Sequence, residues 1–123
     1  MEKILNIFKA LSDENRLRIL LMLRQRPLCV CEITEVLNIA LSTISAHLKL
    51  MKNYGLLINE KDGRWVTYRL DEKNDFLNSI LQKIEKKLKN NRIIMRDREL
   101  ISKLNREICA LKMRERHDIK KFG

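Results

Sequence analysis

Apolar residues recur along this chain at helical spacing for most of its length and at strand spacing only once. Residues 2–10 carry Ile4, Leu5, Ile7 and Phe8, which predicts a short amphipathic helix. The next run, SDENRLRILLMLRQ, opens on Ser12, a good N-cap, with acidic residues in its first turn and basic ones in its last. Leu17, Leu20, Leu21 and Leu23 give it a broad apolar face. Pro27 fits a helix start, so LCVCEITEVL is expected to be helical, with Ile33, Val36 and Leu37 turned inward. Asn38-Ile39-Ala40 makes a short break. The following LSTISAHLKLMKNYG closes on Gly55 as a C′ glycine. Its Leu41, Ile44, Leu48 and Met51 form one buried stripe, and Ser42, Ser45, Ala46 and Lys49 lie opposite. Such a small, polar, weakly basic face suits a major groove, where an α-helix fits and short side chains reach base edges.

The period then changes. In LLINEKDGRWVTYRL, Val66, Tyr68 and Leu70 alternate with Trp65, Thr67 and Arg69, and Asp62-Gly63 is a hairpin signal between two strand-like runs. Lys61 and Arg64 make the tip cationic, so the hairpin reads as a wing that contacts phosphates. Helical spacing returns at 74–91 with Leu77, Leu81, Ile84 and Leu88, and at 97–116 with Ile101, Leu104, Ile108 and Leu111. Asn90-Asn91 is a plausible break between them. The first helix has no other obvious partner, so it and the helix at 74–91 are expected to pair in a dimer interface. The tail RHDIKKFG is expected to fray.

The resulting fold class is mainly α with a small β-hairpin (α+β), a winged helix-turn-helix. The winged domain, with dimerisation, is expected at 1–92, its helix-turn-helix at about 28–55 and the wing at 56–70. A C-terminal helical extension with a basic tail fills 93–123. A chain of 123 residues fits this single-domain plan, with one Pro and three Gly as punctuation. Its 45% hydrophobic and 34% charged content is that of a folded soluble protein. The net charge of +10 points to a polyanionic partner, nucleic acid first. The chain has no run of 18 apolar residues and MEKILNIFKA lacks a signal-peptide hydrophobic stretch, so no membrane span and a cytoplasmic location are expected. No Gly-rich phosphate loop, carboxylate cluster or plausible triad supports an enzyme.

Four segments, in order and without gaps, resemble the ArsR/SmtB family of bacterial metal-sensing repressors: FKALSDENRLRILLML at 8–23, PLCVCEITEVL at 27–37, LSTISAHLKLMKNYGLL at 41–57 and GRWVTYRL at 63–70. The resemblance implies a homodimeric repressor whose metal-free form holds a palindromic operator in double-stranded DNA and whose inducer releases it. It places Ser42, Thr43, Ser45 and His47 at recognition-helix positions. Ser42, Thr43 and Ser45 are expected on bases or phosphates, and Lys49, Lys61 and Arg64 on phosphates. His47 flanks the buried stripe and is equally suited to holding the helix by hydrogen bonding. Arg16 and Arg18 are candidate operator contacts, with a solvated helix face as the commoner explanation.

Three cysteines, Cys29, Cys31 and Cys109, cannot pair completely and are expected as thiols in a reducing compartment. Cys29-Val30-Cys31 resembles the thiolate pair of the arsenic-responsive (ArsR) branch, which implies As(III) or Sb(III) as the inducer, and soft thiolates select such soft centres. A helix N-terminus is expected to lower the thiol pKa values. Residues i and i+2 point about 200° apart on a regular helix, so the sulfurs are expected to share an ion only if that turn distorts. Some relatives add a Cys where Thr34 stands here. Cys109, from either subunit, is then the candidate third ligand, with packing as its alternative role. Cadmium and lead sensors complete their site from an N-terminal extension, but only three residues precede Ile4 and none is Cys. Zinc sensors use Asp and His on the last helix, and His117-Asp118 lacks the paired spacing. A repressor switched by soft metals (Cd, Pb or Zn) or by thiol oxidation is the alternative.

Overall fold

The computed structural model describes the backbone of residues 1–122 and the side chains of residues 1–115. Seven helices and three short strands follow the order α1 Glu2–Leu11, α2 Glu14–Gln25, β1 Leu28–Cys29, α3 Val30–Leu37, α4 Leu41–Asn53, β2 Leu57–Asp62, β3 Trp65–Leu70, α5 Asp75–Lys87, α6 Arg92–Lys103 and α7 Arg106–Phe122. The sheet is antiparallel, in the order β1-β3-β2. No helix among the described residues is long and apolar enough to cross a membrane.

Helix α2 is the hub. Ile19 to Leu23 are all buried, because α1, α5, α6 and β3 surround it. Its N-cap is Asp13, whose carboxylate accepts the Arg16 N–H at 2.9 Å; Ser12, expected in that role, is the C-cap of α1. The one-residue shift gives the cap to a carboxylate, which also complements the helix dipole. Helices α3 and α4 form the helix-turn-helix, joined by residues 38–40. Asn38 takes the left-handed conformation at φ 52°, and Gly55 does so after α4 at φ 75°. Of the expected stripe on α4, Ile44, Leu48 and Met51 are buried, but Leu41 is 52% exposed. It stands on the helix's first residue, beyond the edge of the layer beneath.

The wing turns one residue later than its Asp62-Gly63 signal. Asp62 pairs with Trp65, so the loop is Gly63-Arg64, with Gly63 at φ 60°. Glycine at the first loop position matches a type II′ turn, which follows the twist of the flanking strands.

The largest departures lie on either side of the wing. Leu28 and Cys29 are strand, paired with Tyr68 and Thr67, and α3 starts only at Val30. Pro27 therefore precedes an edge strand rather than a helix, since β3 offers a ladder to residues that would otherwise begin a helix. In the C-terminal part, a break does fall at Asn91, which caps α6 through its side chain. A second break at Leu104 and Asn105 separates α6 from α7 and interrupts the expected 97–116 helix. Ile101 is buried, whereas Ile108 and Leu111, assigned to the same stripe, are exposed on α7. Nor does the core stop at residue 92: Ile94 and Ile101 of α6 belong to the same apolar cluster as α2 and α5. Helix α7 extends to Phe122, into the stretch expected to fray, and the side chains of the RHDIKKFG tail, His117 and Asp118 included, lie outside the described residues.

Candidate thiol site and nucleic-acid interface

The cysteines come together by an unexpected geometry. Cys29 is the extended N-cap of α3, at φ −81° and ψ 161°, and Cys31 is in its first turn. Because Cys29 lies outside the helix, the 200° separation does not apply, and the two sulfurs stand 2.6 Å apart. No unwinding of α3 is needed for them to meet. Cys109, one turn into α7, is wholly buried, α7 packs against α3, and the Cys29 and Cys31 thiols both influence its ionisation. Because α7 and α3 pack within one chain, Cys109 approaches the pair without a second subunit. All three cysteines are free thiols. Among the described residues, no group of three or more His, Cys, Asp or Glu is placed so that it could hold a metal ion; Cys29 and Cys31 are an adjacent pair, and a three-thiol site requires Cys109 to move toward them.

Burial also overrides the helix dipole. It pushes the Cys29 thiol far above its ordinary range and Cys31 above its own, and it pushes Cys109 up to about 11, with the Glu32 carboxylate adding to each shift. The expected lowering at a helix N-terminus is therefore reversed: the thiols are held neutral. A bonded frame fixes them. Glu32, itself buried, accepts the Cys29 N–H at 3.0 Å, in the manner of a capping box with sulfur replacing a hydroxyl. Its other oxygen accepts from Arg26 at 2.6 Å. The same Arg26 nitrogen donates to the carbonyls of Ile101 at 3.0 Å and Leu104 at 2.8 Å, closing the end of α6. Arg26 and Glu32 were not singled out from the sequence. The spacing Cys-x-x-Glu at 29–32 is the signal that was there to be read. An open cleft of about 370 Å³, lined by Arg26, Cys29, Glu32, Thr67 and Arg106 among others, gives access.

On the other side, Ser42, Thr43, Ser45, Ala46 and Lys49 are exposed together on α4, and Lys61 and Arg64 are exposed at the wing. His47 turns inward: its Nδ1 is 3.4 Å from the Arg16 guanidinium and its Nε2 is 3.9 Å from Asp13. Arg16 also donates to the carbonyls of Lys9 at 2.9 Å and Ala10 at 3.1 Å, so it ties α1, α2 and α4 together. Arg18 forms a bidentate pair with buried Asp97, both bonds at 2.8 Å. Neither arginine is a freely solvated charge, since each is engaged by partners within the fold. His47→Ala is expected to lower thermal stability by about 1 kcal/mol. It should leave the salt dependence of DNA binding unchanged; a thermal scan and a salt titration check both.

Comparison with known proteins adds an independent line. Residues 13–59 match the family described as bacterial regulatory protein, arsR family. The chain is 45% identical over 67 residues to the arsenical resistance operon repressor of Escherichia coli (strain K12), covering 54% of this chain and 57% of that protein. It is 39% identical over 69 residues to a cadmium resistance transcriptional regulatory protein CadC homolog of Staphylococcus aureus, covering 55% and 57%. It thus spans little more than half the length of these two curated relatives. An uncharacterized HTH-type transcriptional regulator of Methanocaldococcus jannaschii is 41% identical over 68 residues, covering 54% of this chain and 76% of that one. Among solved structures, HlyU from Vibrio cholerae N16961 superposes with a TM-score of 0.64 at 28% identity, over 68% of this chain and 89% of the other.

Proposed function

Because this chain belongs to the arsR family of bacterial regulatory proteins, we propose that it is a cytoplasmic, dimeric transcriptional repressor whose thiol cluster binds As(III) or Sb(III) and thereby releases operator DNA. The observation that carries this reading is the 2.6 Å approach of the Cys29 and Cys31 sulfurs beside the DNA-facing wing, with buried Cys109 on the helix that packs against α3. The exposed small-polar face of α4 and the cationic wing tip are the DNA surface, Ser42, Thr43 and Ser45 on bases or phosphates and Lys49, Lys61 and Arg64 on phosphates. His47 serves as a brace. Exposed Ile4, Leu5 and Phe8 on α1 and Phe76 on α5 supply the apolar face for the second subunit, and Phe8 and Phe76 already stack edge to face at 6.3 Å. Two symmetric recognition helices call for a palindromic site with half-sites about one helical turn apart.

Charge balance favours the trivalent centre. Arsenous acid exchanges each hydroxyl for a thiol with release of water: As(OH)3 + 3 RSH → As(SR)3 + 3 H2O. The product is neutral, as are the buried thiols it replaces. A divalent cation on three thiolates leaves a net negative charge in a place already shared with Glu32 and Glu35. Thiol oxidation, the other alternative, needs thiolate, which burial suppresses.

The test is DNA release in phosphine-reduced buffer. A labelled duplex selected from a random pool is titrated with arsenite, antimonite or cadmium. Cys29→Ser and Cys31→Ser should still bind DNA but need at least about 100-fold more arsenite for release, and Cys109→Ser about 10-fold more or greater. Normal release from the first two variants would overturn the site. Normal release from Cys109→Ser alone would restrict it to the Cys29–Cys31 pair.

A further inference from the structure

The thiol cluster and the wing are joined at two places. The first is the backbone: Cys29 is paired with Thr67 of β3, so the strand that carries one thiol is an edge of the wing's own sheet. The second is a side-chain clasp from α7. The Arg106 guanidinium is 3.0 Å from the Asp62 carboxylate and 5.4 Å from the Trp65 ring centroid, over which Arg64 also lies at 4.7 Å. Its own main-chain carbonyl accepts from the Cys31 sulfur at 3.9 Å. Cys109 follows three residues later, one helical turn along. A single turn of α7 therefore holds a candidate ligand at one end and the anchor of the wing tip at the other.

We propose that α7 carries the state of the thiol site to the wing, with Arg106 as the positioning residue whose grip on Asp62 and Trp65 sets where Lys61 and Arg64 stand. The proposal rests on the thiol-site reading above. Gathering Cys29, Cys31 and Cys109 around one centre draws the first turn of α7 toward α3 and takes the Cys31 sulfur off the Arg106 carbonyl. Both changes act on the turn that bears the guanidinium. An exposed ion pair and a ring contact are individually weak, which suits a clasp that has to open. The alternative route, a distortion of α3 passed to α4, lacks its cause, since the sulfurs already meet without unwinding α3. Helix α4 is in addition braced to α2 by His47 and Arg16. A ligand shifts a conformational equilibrium only through contacts that differ between the two states, and the clasp is such a contact.

Trp65 is the only tryptophan of the chain, so its emission reports on the clasp directly. The experiment uses the full chain, sodium arsenite and three readouts: arsenite affinity by calorimetry, Trp65 emission, and release of the selected duplex. For wild type, the emission change and the release should track the calorimetric midpoint. Arg106→Met and Asp62→Asn should bind arsenite within about twofold of wild type, lose the emission change, and reduce arsenite-driven weakening of DNA binding from about tenfold or more to less than about threefold. Variants that release DNA as wild type does, with arsenite affinity intact, would overturn the coupling and leave the thiol site standing. Variants that lose arsenite binding would make Arg106 a structural part of the site and likewise overturn its relay role. Failure of wild type to bind arsenite at all would remove the thiol-site reading, and the coupling with it.

Discussion

Raising the pH from 6 to 8 should tighten cadmium binding to the thiol cluster by at least about 100-fold and leave arsenite binding nearly unchanged. The sign follows from the protons. Burial raises all three thiols above their ordinary values, Cys109 to about 11, so across this range each remains protonated in the ligand-free protein. Cadmium must expel a proton for every thiolate it takes. Each proton expelled makes the affinity rise about tenfold per pH unit, so a single net proton already gives the 100-fold change over two units. Arsenous acid keeps the balance by returning water, so its binding carries no such slope while both it and the thiols are neutral. Calorimetry in two buffers of different ionisation enthalpy counts the protons directly. A flat cadmium slope together with an arsenite affinity that falls as the pH rises would show that the thiols are ionised in the folded protein, against the burial argument.

The second large effect is on stability. Asp97→Ala should destabilise the protein by about 3 kcal/mol, because it leaves the Arg18 guanidinium largely buried and unpaired. Arg18 and Asp97 are 13% and 3% exposed, and their bidentate pair is the polar link between α2 and α6. For a domain of this size the loss corresponds to a fall of about 10 °C in the melting temperature. The double variant Arg18→Met, Asp97→Leu should recover most of it, since an apolar pair removes the desolvation penalty along with the bond. A thermal scan of the three proteins decides the matter. A drop of less than about 1 kcal/mol for Asp97→Ala would mean that α6 is not held through this pair.

The order of helices, the helix-turn-helix and the wing were legible in the chain because each depends on near neighbours. Periodicity marks which face of a helix is buried, Gly55 and Asn38 end helices by local backbone conformation, and Gly63 makes a tight hairpin. The exposed polar face of α4 follows from the same periodicity, with Leu41 as the exception. Its spacing fits the stripe, but its place at the helix end does not. The two cysteines of the 29–31 pair and the carboxylate three residues on were also visible as a pattern.

What the chain alone left open depends on contacts between distant residues. Pro27-Leu28-Cys29 is locally as suitable for a helix start as for a strand, and β3, some forty residues later, decides for strand. That choice takes Cys29 out of the helix and brings its sulfur to Cys31. Charge assignments failed for the same reason. Arg16 and Arg18 look like surface cations until Asp97 and the end of α1 are packed against them. The thiol pKa values moved opposite to the local expectation because burial is a property of the assembled core and outweighs the dipole of a single helix end. Sequence by itself thus determined most of the helices, the wing and the exposed polar face of α4, all set by local pattern and residue chemistry. Tertiary structure decided that Cys109 is buried on a helix packed against α3, that burial raises the thiol pKa values, and that Arg106 reaches the wing, because each depends on α7 folding back onto α3.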